Sequence, residues 1–155
     1  MQKTLVVYYS RTGNTKKIGD EIARRMKAEV EEIITLKDRK GIKGYIVSGF
    51  EASKKRSASI EKIKEDPKDY DLVIIGTPVW AWNISSPIRT YLEKKKDSFN
   101  KVAFFCTQGG SGDKKSFEEM EALTGKKPVA VLTLRTKEVA KGEYAEKVKE
   151  FIKQL

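Results

Sequence analysis

Three features of this 155-residue chain predict a doubly wound α/β fold, a parallel sheet with helices on both faces. Its apolar runs are short, continuous and regularly spaced. Amphipathic stretches alternate with them. Polar and glycine-bearing segments follow several of the apolar runs, where a strand hands over to a helix.

Leu5–Tyr9 opens the pattern as a strand, and its unbroken apolar character points to burial on both faces. Thr15–Met26 follows as a helix, with Ile18, Ile22 and Met26 recurring every four residues. Val30–Ile34 alternates polar and apolar residues, as an edge strand does. The charged segment 36–70 has glycines at 41, 44 and 49 and an apolar cluster of Tyr45, Ile46, Val47 and Phe50. It reads as a helix around Gly44–Lys55 and then a basic solvated stretch, Lys54–Lys64. Pro67 and Asp69 introduce the strand Leu72–Ile75. Ser85–Lys95 is a helix with Pro87 in its first turn, where the missing N–H costs nothing. Val102–Cys106 is a strand, and Asp113–Leu123 a helix with a Phe117, Met120 and Leu123 face. Val129–Leu134 is the last strand, and Glu143–Ile152 the last helix. Five β-α units in succession imply right-handed crossovers. With no internal repeat and no linker, residues 1–155 read as a single domain.

Composition narrows the chemistry. Charged residues make up 35% of the chain and apolar ones 39%, the balance of a globular domain. No apolar run approaches the roughly 20 residues of a membrane helix, and the first residues lack a signal-peptide layout. Cys106 is the single cysteine, which fits a reducing compartment, so a cytoplasmic location is expected. Histidine is absent, which argues against zinc sites and against Ser-His or Cys-His catalysis. The formal net charge is +10, with 32 Lys and Arg. Most lysines interleave with glutamates on solvated helix faces, but such a surface also attracts acidic proteins, anionic membranes or nucleic acid.

Three loops carry the chemistry. In a doubly wound sheet, ligands bind beyond the carboxyl ends of the strands, where the strand order reverses. The first loop, Ser10-Arg11-Thr12-Gly13-Asn14-Thr15, offers three hydroxyls, a carboxamide and a glycine at the start of a helix. The unpaired N–H groups and positive dipole end found there make a phosphate cradle. The second, Thr77-Pro78-Val79-Trp80-Ala81-Trp82-Asn83, carries two tryptophans that fit a flat partner, although either indole could fold back onto the sheet. The third, Thr107-Gln108-Gly109-Gly110-Ser111-Gly112-Asp113, can bring N–H groups close to a planar polar edge. Neither G-x-x-x-x-G-K-[ST] nor G-x-G-x-x-G occurs, which favours a mononucleotide over a dinucleotide.

The pieces LVVYYSRTGNT, DYDLVIIGTPVWAWNISSPIRTYL and VAFFCTQGGSG, in that order, resemble the flavodoxin family along essentially the whole chain. The resemblance implies a five-stranded flavodoxin-like sheet of order 2-1-3-4-5 and non-covalent FMN. It implies that Ser10, Arg11, Thr12, Gly13, Asn14 and Thr15 form the phosphate loop, binding through hydroxyls and amides rather than the Arg11 charge. Pro78, Val79, Trp80, Ala81, Trp82 and Asn83 would line one side of the ring. Thr107, Gln108, Gly109, Gly110, Ser111, Gly112 and Asp113 would line the other side and the pyrimidine edge. Tyr45, which no family motif places, is a further candidate for closing the pocket. Cys106 reads as a small buried apolar residue.

The resemblance leaves two functions open. One is an FMN electron carrier with an acidic, ferredoxin-like partner. The other is an FMN-dependent NAD(P)H:quinone (or FMN) oxidoreductase acting on a small acceptor. Electron carriers of the family turn a peptide carbonyl toward the flavin at a glycine after the third strand, and residues 77–86 contain no glycine. That departure favours hydride-passing relatives. A nucleic-acid module is disfavoured, because Lys54–Lys64 is basic but carries no aromatic ring.

Overall fold

A computed structural model of the chain describes residues 1–36 and 58–155. The expected helix around Gly44–Lys55, the candidate Tyr45 and the start of Lys54–Lys64 lie outside the described residues. The described elements are β1 (Thr4–Tyr8), α1 (Asn14–Met26), β2 (Glu29–Glu32), a 3-10 turn (Pro67–Asp69), β3 (Leu72–Trp80), β4 (Asn83–Ile84), α2 (Ser86–Lys94), β5 (Lys101–Gln108), α3 (Asp113–Thr124), β6 (Val131–Arg135), α4 (Thr136–Lys141) and α5 (Ala145–Lys153). The sheet order is β2-β1-β3-β5-β6, with all neighbours parallel. Among the described strands only β4 runs antiparallel, as a short hairpin on the end of β3. Without that hairpin the order is the expected 2-1-3-4-5.

Period-two alternation along buried strands builds two cores. Leu5, Val7, Val73, Ile75, Val102 and Phe104 face α2 and α3, with Ile88, Tyr91, Leu92 and Met120 packed on them. Val6, Tyr8, Leu72, Ile74, Ala103 and Phe105 face the other way, against Ile18 and Ile22 of α1 and Val148 and Phe151 of α5. A buried ion pair between Arg89 and Glu119 ties α2 to α3.

Several boundaries that differ from expectation touch the site. β3 runs past Ile75 to Trp80, so Pro78, Val79 and Trp80 belong to a strand rather than a loop. The β1 pairing stops at Tyr8–Gly76, so the N–H that Pro78 lacks falls beyond that ladder. β5 likewise extends through Thr107 and Gln108. α4, which follows β6 directly, has no counterpart in the periodicity reading, because at six residues it is too short to show a repeat. On the edge strand β2 the alternation is inverted: Val30 is exposed, while Glu31 and Ile33 are buried. Glu31 accepts hydrogen bonds from the Lys64 and Glu65 amides, which binds residues 64–65 to the sheet edge and satisfies the buried carboxylate.

Gly76 sits where the sheet is most crowded. It pairs with Tyr8 on one side and Phe105 on the other, and an added Cβ would overlap the Phe105 ring. Gly76→Ala is expected to cost about 1–3 kcal/mol in urea unfolding, as overpacked core sites do. Pairing it with Phe105→Leu should recover part of the loss. Gly110→Ala, whose Cβ meets nothing within 4 Å, is the neutral reference.

Candidate functional site

Every strand in this parallel sheet ends at the same edge, and the loops after β1, β3, β5 and β6 meet there. They enclose a cleft of about 220 Å³ lined by Ser10, Arg11, Thr12, Asn14, Thr15, Pro78, Val79, Trp80, Thr107, Gln108, Gly109 and Thr136. Among the described residues no carboxylate lines it, and Arg11 is the single charged side chain that does. The cleft straddles β1 and β3, where the chain reverses its direction of growth across the sheet.

The first loop turns on Gly13. Its φ of +100° is a left-handed conformation that glycine adopts without strain. Its N–H donates to Ser10 Oγ at 3.1 Å, closing the turn. Gly13 is also the N-cap of α1, and no side chain caps that helix. The first turn of α1 contains no acidic residue. The helix therefore opens on the cleft with its dipole uncompensated and first-turn N–H donors available to an anion. Behind them Thr15 Oγ1 and Thr107 Oγ1 share a buried hydrogen bond of 2.8 Å, which fixes the first loop to the third.

The two tryptophans separate. Trp80 is only 7% exposed and meets Tyr9 edge-to-face, with ring centroids 5.5 Å apart. It both anchors the loop in the core and forms part of the cleft wall. Trp82 is 64% exposed, and its indole N–H donates to Ser111 Oγ at 3.2 Å, joining the second loop to the third. Between them lies a tight hairpin turn with Ala81 at φ 47° and Trp82 at φ 62°. Two left-handed central residues match the right-handed twist of the flanking strands, a position normally given to Asn or Gly. Asn83 lies in β4, and its side chain steadies the turn. Asn83 Nδ2–H donates to the Ala81 carbonyl at 3.0 Å. Gly112, at φ +115°, packs so closely on Trp82 and Val79 that a Cβ would come within 2.8 Å of Trp82 Cα.

Of the residues expected in the site, Gly13, Ala81, Trp82, Asn83, Gly110, Ser111, Gly112 and Asp113 do not line the cleft itself. Gly13 shapes the first loop, and Ala81, Trp82, Asn83, Ser111 and Gly112 build the β3–β4 turn and its support. Asp113 faces inward and accepts from Thr133 Oγ1 at 2.9 Å. Burial works against its ionisation, but hydrogen bonds from Thr133, Gln108 and the Asp113 and Lys114 amides outweigh that and hold the carboxyl below its usual range. Gln108, bonded to Asp113 on one side, keeps its buried Oε1 without a hydrogen-bond partner. Such an acceptor is costly unless a ligand N–H meets it. Thr136, at the start of α4, lines the cleft and escaped sequence reading. The signal was its position directly after the last strand. Cys106 is fully buried, and burial pushes its thiol up to about 12, so it is an inert core group.

Among the described residues no group of three or more His, Cys, Asp or Glu could hold a metal, and no helix is long and apolar enough to cross a membrane. The donor set fits FMN. Hydroxyls and open helix amides suit its phosphate, and the unmet Gln108 Oε1 suits an N–H on its pyrimidine edge.

A family model described as flavodoxin matches residues 3–155. The chain is 28% identical to a flavoprotein from Lactobacillus acidophilus solved in complex with FMN, over 91% of this chain and 98% of that one, at a TM-score of 0.74. A Bacteroides uniformis protein named as a flavoprotein shares the fold at 24% identity, covering 98% of both chains with a TM-score of 0.79. So does general stress protein 14 of Treponema denticola, solved with FMN, at 14% identity, 97% and 95% coverage and a TM-score of 0.57. With the strand order, the uncapped first helix and a family match over nearly its whole length, the chain belongs to the flavodoxin family.

Proposed function

We propose that this protein binds one FMN non-covalently in the cleft and carries electrons between redox proteins. The observation that carries the reading is the uncapped N-terminus of α1 opening into the same cleft as the β3 and β5 ends. Ser10, Thr12, Asn14, Thr15 and the first amides of α1 would hold the phosphate, and Pro78–Trp80 and Thr107–Gly109 would hold the ring system, with Gln108 Oε1 offering an acceptor to an N–H of the ring. The bound flavin supplies the redox chemistry, taking up or releasing one or two electrons. The protein would hold it and shield one side of it from water.

The acidic, iron–sulfur type of partner expected from the +10 charge belongs to this carrier reading. The second reading, an FMN-dependent NAD(P)H:quinone or FMN oxidoreductase, is favoured by one feature. The Ala81 carbonyl is engaged by Asn83 rather than free to turn toward a ligand, and no glycine eases such a turn. A cytoplasmic site of action accords with the single, buried cysteine.

Thr12 is exposed, so its removal leaves the core intact. Thr12→Ala is expected to weaken FMN about tenfold, the loss of one hydrogen bond to a charged group, with riboflavin affinity unchanged. Equal losses for both ligands would remove the loop from phosphate binding. Steady-state assays separate the two functional readings: the carrier is expected to show no sustained NADH or NADPH oxidation with a quinone acceptor. Continuous turnover there would establish the oxidoreductase instead.

A further inference from the structure

β5 brings two consecutive polar residues to the cleft, and the alternation of a strand sends them to opposite faces of the sheet. Thr107 turns to the α1 face, where it bonds Thr15. Gln108 shares the other face with Phe104 and Cys106, the face that α2 and α3 cover. The register sets Thr133 of β6 opposite Cys106, so Thr133 is the diagonal neighbour of Gln108 on that face. Asp113, the first residue of α3, brings its carboxylate onto this pair. It accepts from Thr133 Oγ1 at 2.9 Å and from the Gln108 side chain. Behind them the Cys106 thiol donates to Thr133 Oγ1 at 3.8 Å. Gln108 is 5% exposed, and among the described residues that line the cleft it alone has a buried side-chain polar atom, Oε1, without a hydrogen-bond partner.

A carboxamide has two nearly isosteric ends, an acceptor and a donor, and unrestrained it can present either one to a ligand. An ionised carboxylate only accepts. With Asp113 on one side, the Gln108 NH2 group is therefore committed to it, and Oε1 is left as the free end. We propose that Asp113 is a positioning residue: its carboxylate locks the Gln108 carboxamide as an acceptor, and the cleft thereby selects a ring that presents an N–H, an inference that rests on the flavin reading and names N3–H of the pyrimidine edge as that group. A flipped amide would set donor against donor there. An unmet buried acceptor costs stability in the free protein, and a ligand N–H recovers that cost where a ligand without one cannot. Thr133 and Cys106 support the lock, because each donates in the direction of the carboxylate and leaves it no donor role.

The test uses the full chain and two ligands, FMN and N3-methyl-FMN, which lacks that one donor. The wild type is expected to bind FMN about tenfold more tightly than the methylated ligand. Gln108→Met is expected to weaken FMN about tenfold and to erase the preference. Asp113→Ala is expected to weaken FMN about threefold or more while Gln108 is present, and to have no effect on the Gln108→Met background. Asp113→Ser, which keeps a polar side chain at the start of α3, is read in the same way, so the outcome does not hang on one variant folding. Equal losses from Asp113→Ala on both backgrounds assign Asp113 a structural role and overturn the proposal. So does a wild type that binds the two ligands alike. A further readout needs no ligand. In the free protein the two side-chain amide protons of Gln108 are expected to differ in NMR shift by more than those of an exposed glutamine, and to converge in Asp113→Ala. A pair already converged in the wild type removes the lock. Failure of the wild type to take FMN sinks the flavin reading and the proposal with it, whereas FMN binding without coupling between positions 108 and 113 sinks the proposal alone.

Discussion

The polarity of the sheet is the constraint on which the site depends. With five parallel strands, each carboxyl end and each following helix N-terminus must appear at one edge. Thr15 and Thr107, 92 positions apart, can share a hydrogen bond only because β1 and β5 both point at that edge with β3 between them. The same geometry collects unpaired helix amides, which is why an anion site arises there from backbone before any side chain is chosen.

Local stability is given up at this edge. α1 starts without a capping side chain, whereas Glu138 reaches back to the Arg135 amide at the start of α4. A missing cap typically costs about 1 kcal/mol. The β3–β4 turn holds two non-glycine residues in the left-handed region, a further cost of roughly 1–2 kcal/mol each. Neighbours hold these conformations in place: Asn83 on the Ala81 carbonyl, Ser111 on the Trp82 indole, Gly112 against the turn backbone. Strain that the surroundings over-determine is characteristic of ligand sites, because the geometry is then set before the ligand arrives. The largely buried strands β1, β3 and β5 supply the stability that tolerates it.

Electrostatics follows the same division. Among the described residues no carboxylate lines the cleft, and Asp113, at the end of the third loop, is drawn inward by Thr133 and Gln108. Farther back, Arg89 and Glu119 form a pair that leaves Arg89 Nε and Glu119 Oε1 without hydrogen-bond partners. Such a pair is a weak source of stability but fixes how α2 and α3 sit beneath the turn.

Much of this was legible in one dimension. Continuous apolar runs identified the buried strands, four-residue spacing identified the long helices, and the hydroxyl-rich segment after the first strand marked the anion site, because each signal is set by local periodicity or local backbone chemistry. The extension of β3 through Pro78 to Trp80 was not legible, since proline reads as a breaker until the neighbouring ladder is known to have ended. Nor was the inversion of β2, which depends on residues 64–65 reaching Glu31, or the contribution of Thr136, which depends on where the last strand stops. Trp80 and Trp82 looked equivalent in the sequence, and only packing made one a core anchor beside Tyr9 and the other an exposed rim residue. The sequence by itself determined which segments become strands, helices and anion-binding loops. The tertiary structure alone decided which of their side chains face the cleft, because that choice is made by contacts between segments tens of residues apart.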